Sequence, residues 1–200
     1  MSKTPKTLTI TECHQLTNAL LIHDGSPKNF RKSIRNYTMA LLMLDAGLRV
    51  GEVVQLKVPD LMYLEQPIQT LRIRAEITKR HTERMIPLSS RIRNAIVEME
   101  KNIWQKPIAT IMQYAFYLQC PSRHITTRQV ERIISSAGVL SIGRKVNPHV
   151  LRHTFASKLM RQVNARIVQE LLGHKNLTST QIYTHPNGED LAKAIEGMNE

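Results

Sequence analysis

The sequence predicts an α+β domain that is mainly α-helical, with a small antiparallel β-sheet on one side. Apolar residues recur at helical intervals over most of the 200-residue chain. Strict alternation of apolar and polar residues is confined to about residues 69–88. No stretch rich in Gly, Pro or Ser divides the chain, and its length suits one ordinary core. We therefore expect one domain over residues 1–200, with residues 1–8 as a flexible N-terminus.

Two helices open the domain. Thr9 and Glu12 have the spacing of a capping box, which predicts a first helix over about residues 9–23. A second helix, over about residues 28–45, begins basic and becomes apolar nearly all round at Met39–Leu44. A helix without a polar face is typical of a buried position, so we expect this one to be central.

A glycine turn and a hairpin follow the second helix. Gly47 marks the helix end, and a short helix follows that we expect Pro59 to close, with Arg49 at the junction. The alternating segment then predicts a two- or three-stranded antiparallel sheet whose hairpin tip is at residues 78–83. The remaining pattern predicts helices over about 91–102, 126–137 (stopped by Gly138), 148–160 (Pro148 in its first turn), 165–172, 178–184 and 189–195.

The formal charge of +12 is concentrated in two stretches. Residues 72–93 hold seven basic against two acidic residues, and residues 144–175 hold seven against one. The other residues are nearly neutral in sum, and the segment 187–200 is acidic. Clustered Lys and Arg side chains are typical of a surface that binds a polyanion, whereas a merely solubilising surface mixes its signs.

Three donor side chains share one helix face near residue 150. His149, Arg152 and His153 are spaced i, i+3 and i+4, which brings them together on a helix. A phosphate group between them would satisfy this geometry. A metal site is the first alternative, but Val150 replaces the glutamate of the zinc motif. A solvated helix face is the second alternative.

Other classes of protein are disfavoured by composition. The longest apolar run, Met39–Leu44, is far shorter than the roughly 20 residues that span a bilayer. The N-terminus lacks the apolar core of a signal peptide, so we expect a cytoplasmic protein. The two cysteines, Cys13 and Cys120, have no metal-binding spacing.

Five motifs occur in the order and approximate spacing of the tyrosine recombinase (phage integrase) family. The resemblance extends from about Thr9 to Ile195, and it is strongest to the catalytic domains of Xer-type and phage-integrase recombinases. The motifs are Ala46–Val53 with Arg49, the hairpin with Lys79, His149-x-x-Arg152-His153, Leu172-Gly173-His174, and Tyr183.

The resemblance implies a role for each matching residue. Tyr183 matches the nucleophile that attacks a DNA phosphodiester and forms a 3′-phosphotyrosyl link. Arg49 and Arg152 match the two arginines that stabilise the transition state, a task suited to planar, permanently charged side chains. Lys79 matches the general acid for the departing 5′-oxygen, although its neighbour Arg80 is an alternative. Two histidines complete the catalytic set. His149 matches the residue that assists proton transfer at the tyrosine, and His174 matches a residue that hydrogen-bonds the phosphate.

Further expectations follow from the same resemblance. Glu52 and His153 support the catalytic residues, and Glu52, three residues after Arg49, orients its guanidinium. No metal, ATP or other cofactor is implied. Because the excess charge should surround the scissile phosphate, we expect further DNA contacts from Arg72, Arg74, Arg80, Arg84, Arg144, Lys145 and Lys175.

The expected partners are double-stranded DNA and further copies of the chain, with tetramers on paired sites and no membrane. Most family members carry a helical core-binding domain ahead of the catalytic one, and only eight residues precede the first helix here, so we expect that domain to be missing. Residues 187–200 resemble the segment that docks on a neighbouring protomer. Site-specific recombination is the leading function; a type IB topoisomerase and a non-catalytic DNA-binding regulator are the alternatives.

Overall fold

The computed structural model describes residues 7–79, 81–104 and 113–173. This part of the chain is mainly helical with small antiparallel sheets, as the sequence predicted. The helices are α1 (Ile10–Leu21), α2 (Pro27–Leu44), α3 (Val50–Val54), α4 (Val58–Leu61), α5 (Ser90–Asn102), α6 (Thr127–Ile142), α7 (Pro148–Met160) and α8 (Ala165–Leu172). The strands are β1 (Met62–Tyr63), β2 (Gln66–Pro67), β3 (Thr70–Ile73) and β4 (Arg84–Pro87), and a 3₁₀ helix covers Ala75–Ile77.

Helix α2 is the centre of the core. Residues Met39–Leu44 are at most 2% exposed, which confirms the prediction of a buried central helix. Helices α1, α5 and α7 pack around it. The capping box that predicted α1 is present, because the Thr9 hydroxyl accepts from the Glu12 peptide N–H and the Glu12 carboxylate accepts from the Thr9 peptide N–H.

The segment after α2 differs from the prediction at Pro59. The short helix α3 ends at Val54, and Pro59 lies in the first turn of a second short helix, α4, instead of closing the first one. Proline is tolerated there because the first-turn N–H groups have no intrahelical acceptor. The chain therefore makes two short turns of helix where the sequence indicated one.

The strands form two small sheets instead of one. Strands β1 and β2 pair in one antiparallel sheet, and β3 and β4 pair in the other, with Leu71 opposite Ile86. The alternation predicted over about residues 69–88 is interrupted after Ile73, where β3 ends and the chain turns into the 3₁₀ helix. Arg74, at the start of this turn, donates from its guanidinium to both carboxylate oxygens of Asp60 at 3.0 and 2.9 Å, which holds the turn against α4.

Helix α6 continues through the glycine that was predicted to stop it. Gly138 is a buried residue within the helix, and α6 ends five residues later at Gly143, which has a left-handed backbone (φ +70°). A Cβ at position 138 would lie 2.7 Å from Val146 Cγ2 and 2.8 Å from the Arg144 carbonyl oxygen. Gly138 is thus required by close packing of the chain that leaves α6, and not by a helix end.

The remaining helices follow the sequence pattern. Helix α5 begins one residue earlier than predicted, after the cap Ser89, and α7 has Pro148 in its first turn. Helix α8 spans the predicted residues 165–172. The predicted helices at 178–184 and 189–195 lie outside the described residues. Within residues 7–79, 81–104 and 113–173, no helix is both long and apolar enough to cross a membrane.

The close approach at Gly138 predicts opposite effects for two Gly→Ala substitutions in helices. Gly138→Ala should lower the free energy of unfolding by about 1–3 kcal/mol, because the new methyl group meets Val146 and a backbone carbonyl. Gly51→Ala is the matched control, since no atom lies within 4 Å of its Cβ position. It should leave stability unchanged or raise it by about 0.5 kcal/mol. Urea unfolding measures both, and equal effects would contradict the packing assigned to Gly138.

Candidate active site

The loop between α2 and α3 places Arg49 at the N-cap of α3. The Arg49 peptide N–H donates to Glu52 Oε2 at 2.8 Å, and its Nη1 donates to Glu52 Oε1 at 3.0 Å. The Glu52 side chain is 2% exposed, whereas that of Arg49 is 31% exposed. One carboxylate therefore fixes both the backbone and the side chain of Arg49 while the rest of the guanidinium stays accessible.

A second arginine holds the same carboxylate from β4. Arg84 Nη1 donates to Glu52 Oε1 at 2.9 Å and Nη2 donates to Oε2 at 2.7 Å. This is a bidentate, charge-assisted pair, and both side chains are buried. Glu52 thus engages both terminal nitrogens of Arg84, which makes this arginine the partner of a buried carboxylate instead of the surface DNA contact predicted from the sequence.

The phase of β4 contains the signal that reveals this role. Arg84 and Ile86 face inward, whereas Met85 between them faces solvent. Successive side chains of a strand point to opposite sides, so a residue two positions from a core isoleucine points into the core. The inward position of Arg84 was missed because the charge was counted over all residues from 72 to 93. Such a count does not distinguish the buried face of the strand from its exposed face.

The Glu52 carboxyl remains ionised inside the protein. Burial by itself raises its pKa, but the hydrogen bonds and charge of Arg84, the peptide N–H of Arg49 and the charge of Arg152 together lower the pKa below its ordinary value. The result is a buried anion that holds two arginines and is attracted by a third.

Arg152 reaches this centre from α7. It is buried, its Nη1 donates to the Gly47 carbonyl oxygen, and its Nη2 donates to the Leu172 carbonyl oxygen at 2.8 Å. Gly47 has a left-handed backbone (φ +66°), and a Cβ there would lie 2.4 Å from Phe155 Cδ1. Only glycine allows the loop to pack this closely on α7, so Gly47 brings Arg152 next to the loop that carries Arg49.

The same two buried arginines hold the C-terminal end of α8. Arg84 Nε donates to the Leu171 carbonyl oxygen at 3.0 Å, next to the Leu172 carbonyl that accepts from Arg152. The last carbonyls of a helix lack intrahelical donors and attract cations. Gly173 then ends α8 with a left-handed backbone (φ +64°). Arg84 and Arg152 therefore anchor the C-terminal end of α8, where the described part of the chain ends.

The two histidines of α7 differ in environment. Asn147 caps the helix, His149 is exposed in its first turn, and His153 is half-buried one turn later, with the ring centroids 6.3 Å apart. Burial, followed by the nearby charges of His149 and Arg152, lowers the pKa of His153. His153 is thus a neutral imidazole at pH 7. In the parts of the chain that the structure describes, no three His, Cys, Asp or Glu side chains are grouped to hold a metal ion.

Lys79 lies exposed in the connection from the 3₁₀ helix to β4. The preceding residue, Thr78, accepts a hydrogen bond from the Thr82 peptide N–H at 2.9 Å, which closes the turn beneath the lysine. The sequence-predicted residues Arg80, His174, Lys175 and Tyr183 lie outside the described residues.

The other basic residues predicted to contact DNA fall into two groups. Arg72 and Lys145 are exposed, and Arg72 pairs with Glu83 at the surface. Arg74 and Arg144 are partly buried and already pair with acids, Arg74 with Asp60 and Arg144 with Glu12, each at 2.9 Å. Some residues of the two basic stretches therefore form ion pairs within the domain, and others are exposed on its surface.

Comparisons with known proteins identify the family to which the chain belongs. The family model described as the phage integrase family matches residues 6–190. The tyrosine recombinase XerC of Pelotomaculum thermopropionicum is 33% identical over 166 residues, which are 80% of this chain and 52% of that protein. XerC of Proteus mirabilis is 32% identical over 98% of this chain and 59% of its own length. The chain thus spans little more than half the length of these curated relatives.

Solved structures share the fold. A crystal structure of XerA recombinase has a TM-score of 0.77 and 27% identity, and the match covers 100% of this chain and 65% of that one. The XerH site-specific recombinase in a post-cleavage complex with a palindromic difH substrate has a TM-score of 0.68 and 25% identity, over 99% of this chain and 54% of that one. With its family match, its relatives and its fold in agreement, the chain belongs to the phage integrase family of tyrosine recombinases.

Proposed function

We propose that the chain cleaves and rejoins DNA strands in site-specific recombination through a 3′-phosphotyrosyl intermediate. The observation that carries this proposal is the convergence of Arg49 and Arg152 on one loop around the buried Glu52 carboxylate. Arginines held at fixed positions suit the non-bridging oxygens of a phosphodiester, on which charge accumulates in the transition state. The family relationship supports the same assignment.

The proposed reaction is a transesterification. The Tyr183 phenol oxygen forms a bond to the scissile phosphorus, while the bond from phosphorus to the 5′-oxygen breaks. His149 receives the phenol proton, and Lys79 donates a proton to the 5′-oxygen. The reverse reaction rejoins strands, because the phosphotyrosyl link keeps the energy of the phosphodiester. In this scheme the side chains supply the charge and the protons, with no role for ATP or a metal ion.

Arg84 is a positioning residue in this proposal. Its charge is compensated by Glu52, so Arg49 and Arg152 remain to stabilise the phosphate. Through Glu52 it fixes Arg49, and through the Leu171 carbonyl it fixes the end of α8 that leads to His174 and Tyr183. Arg84, which takes no part in the reaction itself, thereby links the loop that carries Arg49 to the end of α8.

The proposed substrate is double-stranded DNA, and the proposed assembly is a tetramer on paired sites in which residues 187–200 dock on a neighbouring protomer. The XerH structure with its difH substrate supports the choice of DNA by analogy. The exposed residues Arg72 and Lys145 are proposed to contact the flanking backbone. The proposed compartment is the cytoplasm, because the relatives reported above are bacterial recombinases and bacterial DNA lies in the cytoplasm.

The proposed nucleophile is tested with a nicked suicide duplex that traps the covalent intermediate. The wild-type chain should form a denaturation-resistant adduct with DNA, and Tyr183→Phe should form none because it lacks the attacking oxygen. The control Tyr63→Phe changes an exposed tyrosine and should form adduct normally. An adduct in Tyr183→Phe would overturn the assignment, and binding without any adduct in the wild type would favour a regulator.

The general acid is tested by changing the leaving group. Lys79→Met should slow cleavage of an ordinary strand by about 10²–10⁴-fold. A strand with sulfur in place of the 5′-bridging oxygen should restore the rate, since a thiolate leaves without needing a proton. Arg80→Met is the matched control and should show no such rescue. Rescue of Arg80→Met instead of Lys79→Met would transfer the role to Arg80.

The lowered pKa of Glu52 predicts a specific pH dependence of stability. An acid whose pKa is lower in the folded state stabilises the fold fully above its ordinary pKa, and loses this contribution as the pH falls through the folded value. Glu52→Gln should lower the free energy of unfolding at pH 7 by about 3 kcal/mol, because Arg84 loses its buried partner.

The deficit of Glu52→Gln should therefore shrink as the pH falls from 6 to 3, as measured by urea unfolding. The control Glu83→Gln removes the carboxylate of the exposed pair with Arg72 and should show a much smaller deficit at every pH. A deficit in Glu52→Gln that stays constant over this range would contradict an ionised Glu52 in the folded state.

A further inference from the structure

A cavity of about 480 Å³ lies beside the first half of α2, at the end remote from the Arg49 loop. Basic side chains of α2 form one wall, and the chain around Tyr117 and Gln119 forms the other. The basic residues are Lys28, Arg31, Lys32 and Arg35. Their spacing of i, i+3, i+4 and i+7 places four positive charges on one face of the helix. This cluster was not found from the sequence, because the net charge was summed over all residues outside the two basic stretches and that sum is close to zero.

Arg35 is the buried member of the cluster and is only 7% exposed. Its Nη1 donates to the Tyr117 carbonyl oxygen at 2.9 Å, while Nε and Nη2 donate to Asn36 Oδ1 at 3.3 and 3.0 Å. Two of the five guanidinium N–H donors are therefore left without an acceptor among the described residues. Burial lowers its pKa to about 10, so the side chain remains a cation at neutral pH.

Within the described part of the chain, none of these four basic residues forms a salt bridge; the carboxylate of Asp24 reaches Lys32 only indirectly, through the Asn29 amide. Lys32 donates to the Asn29 amide oxygen at 3.1 Å, and Lys28 and Arg31 are exposed. In contrast, the partly buried Arg74 and Arg144 each pair with an acid. A buried cation without a counter-charge is unfavourable, so this cavity favours binding of an anion.

We propose that this cavity binds phosphate, and that the phosphate belongs to the backbone of the DNA substrate. This inference rests on the proposed function. The four basic residues extend over about 10 Å of helix, which is longer than one phosphate group and suits successive phosphates of a strand. Two free donors on a buried arginine provide a fixed anchor, and the three exposed cations provide the flanking contacts.

The length of α2 limits which phosphate is involved. From Arg31 to Leu44, where α2 ends, the helix rises by about 20 Å. Arg49 lies near that end, because the Leu48 peptide N–H donates back to the Leu42 carbonyl oxygen. Along one strand of B-DNA, about 20 Å corresponds to about 6 base pairs, and the reach of the two arginine side chains extends this to about 8. We therefore place the contacted phosphate within about 8 base pairs of the scissile one, as a second attachment point of the same domain.

The test is a scan of DNA duplexes that each carry one uncharged methylphosphonate at a position up to 12 base pairs from the cleavage site. Binding is measured in a Tyr183→Phe background so that cleavage does not interfere. At one or two positions within about 8 base pairs, the methylphosphonate should weaken binding by about 10-fold. The variant Lys28→Gln/Arg31→Gln/Lys32→Gln, in which Arg35 is left in place to preserve the fold, should show a clearly smaller effect of the same replacement, because only the Arg35 contact remains.

A matched control removes equal charge elsewhere. Lys101→Gln/Arg161→Gln/Arg166→Gln changes three exposed basic residues that do not line the cavity, and it should keep the full methylphosphonate effect at those positions. The cavity variant should also show a shallower dependence of log affinity on log salt, with the slope reduced by about 1 for each phosphate that it no longer binds. Equal sensitivity of the two triple variants would overturn the DNA assignment.

A second measurement separates DNA from free phosphate. Inorganic phosphate is titrated while the Nε–H signal of Arg35 is followed by NMR, and a saturable shift at millimolar phosphate is expected. Such a shift without any position-specific methylphosphonate effect would assign the site to free phosphate and overturn the DNA source. No shift and no interference would overturn the site itself. Because both readouts use binding alone, they are independent of the suicide-duplex adduct that tests the proposed function.

Discussion

The buried carboxylate of Glu52 is the constraint on which the rest of the site depends. An ionised side chain that is 2% exposed needs compensating donors, and Arg84 and Arg49 provide them. These contacts join β4 to the α2–α3 loop. Arg84 also donates to the Leu171 carbonyl, so the compensation of one charge fixes the relative positions of a hairpin, a loop and the end of a helix.

A second constraint, the close packing of Gly47 on Phe155, completes the arrangement. It brings α7 against the same loop, so that Arg152 donates to the Gly47 and Leu172 carbonyls. The C-terminal end of α8 is thereby held by two buried arginines from different elements. The site is assembled from parts far apart in sequence, and each part is positioned by hydrogen bonds to charged groups instead of by apolar packing alone.

Local patterns in the sequence predicted much of the fold, because their causes are local. The capping box at Thr9 and the apolar run Met39–Leu44 depend on neighbours within one or two turns, and both were found as predicted. Gly138 was misassigned because the reason for a glycine there, contact with Val146 and the Arg144 carbonyl, arises only after folding.

The same distinction applies to the site. The i+3 spacing correctly associated Glu52 with Arg49. Its other partner, Arg84, is 32 residues away and was assigned to DNA, because the number of charges in a segment does not tell which side chains point into the protein. The phase of β4 would have placed Arg84 inward, but that inference needs the strand boundaries. The basic cavity of α2 was missed because summing charge over long segments cancels a local cluster against distant acids.

The central claim is that Arg84 acts on the chemistry through the Glu52 carboxylate and Arg49, and a double-mutant cycle in single-turnover cleavage tests it most directly. Arg84→Lys keeps the charge but loses the bidentate contact, and circular dichroism establishes that each variant is folded. When Arg49 is unchanged, Arg84→Lys should slow cleavage by about 10-fold or more, because the Arg49 guanidinium is no longer held in its position. In an Arg49→Ala background its effect should be clearly smaller, because only the contact with the Leu171 carbonyl then remains to transmit it. The same fold reduction in both backgrounds would contradict the account.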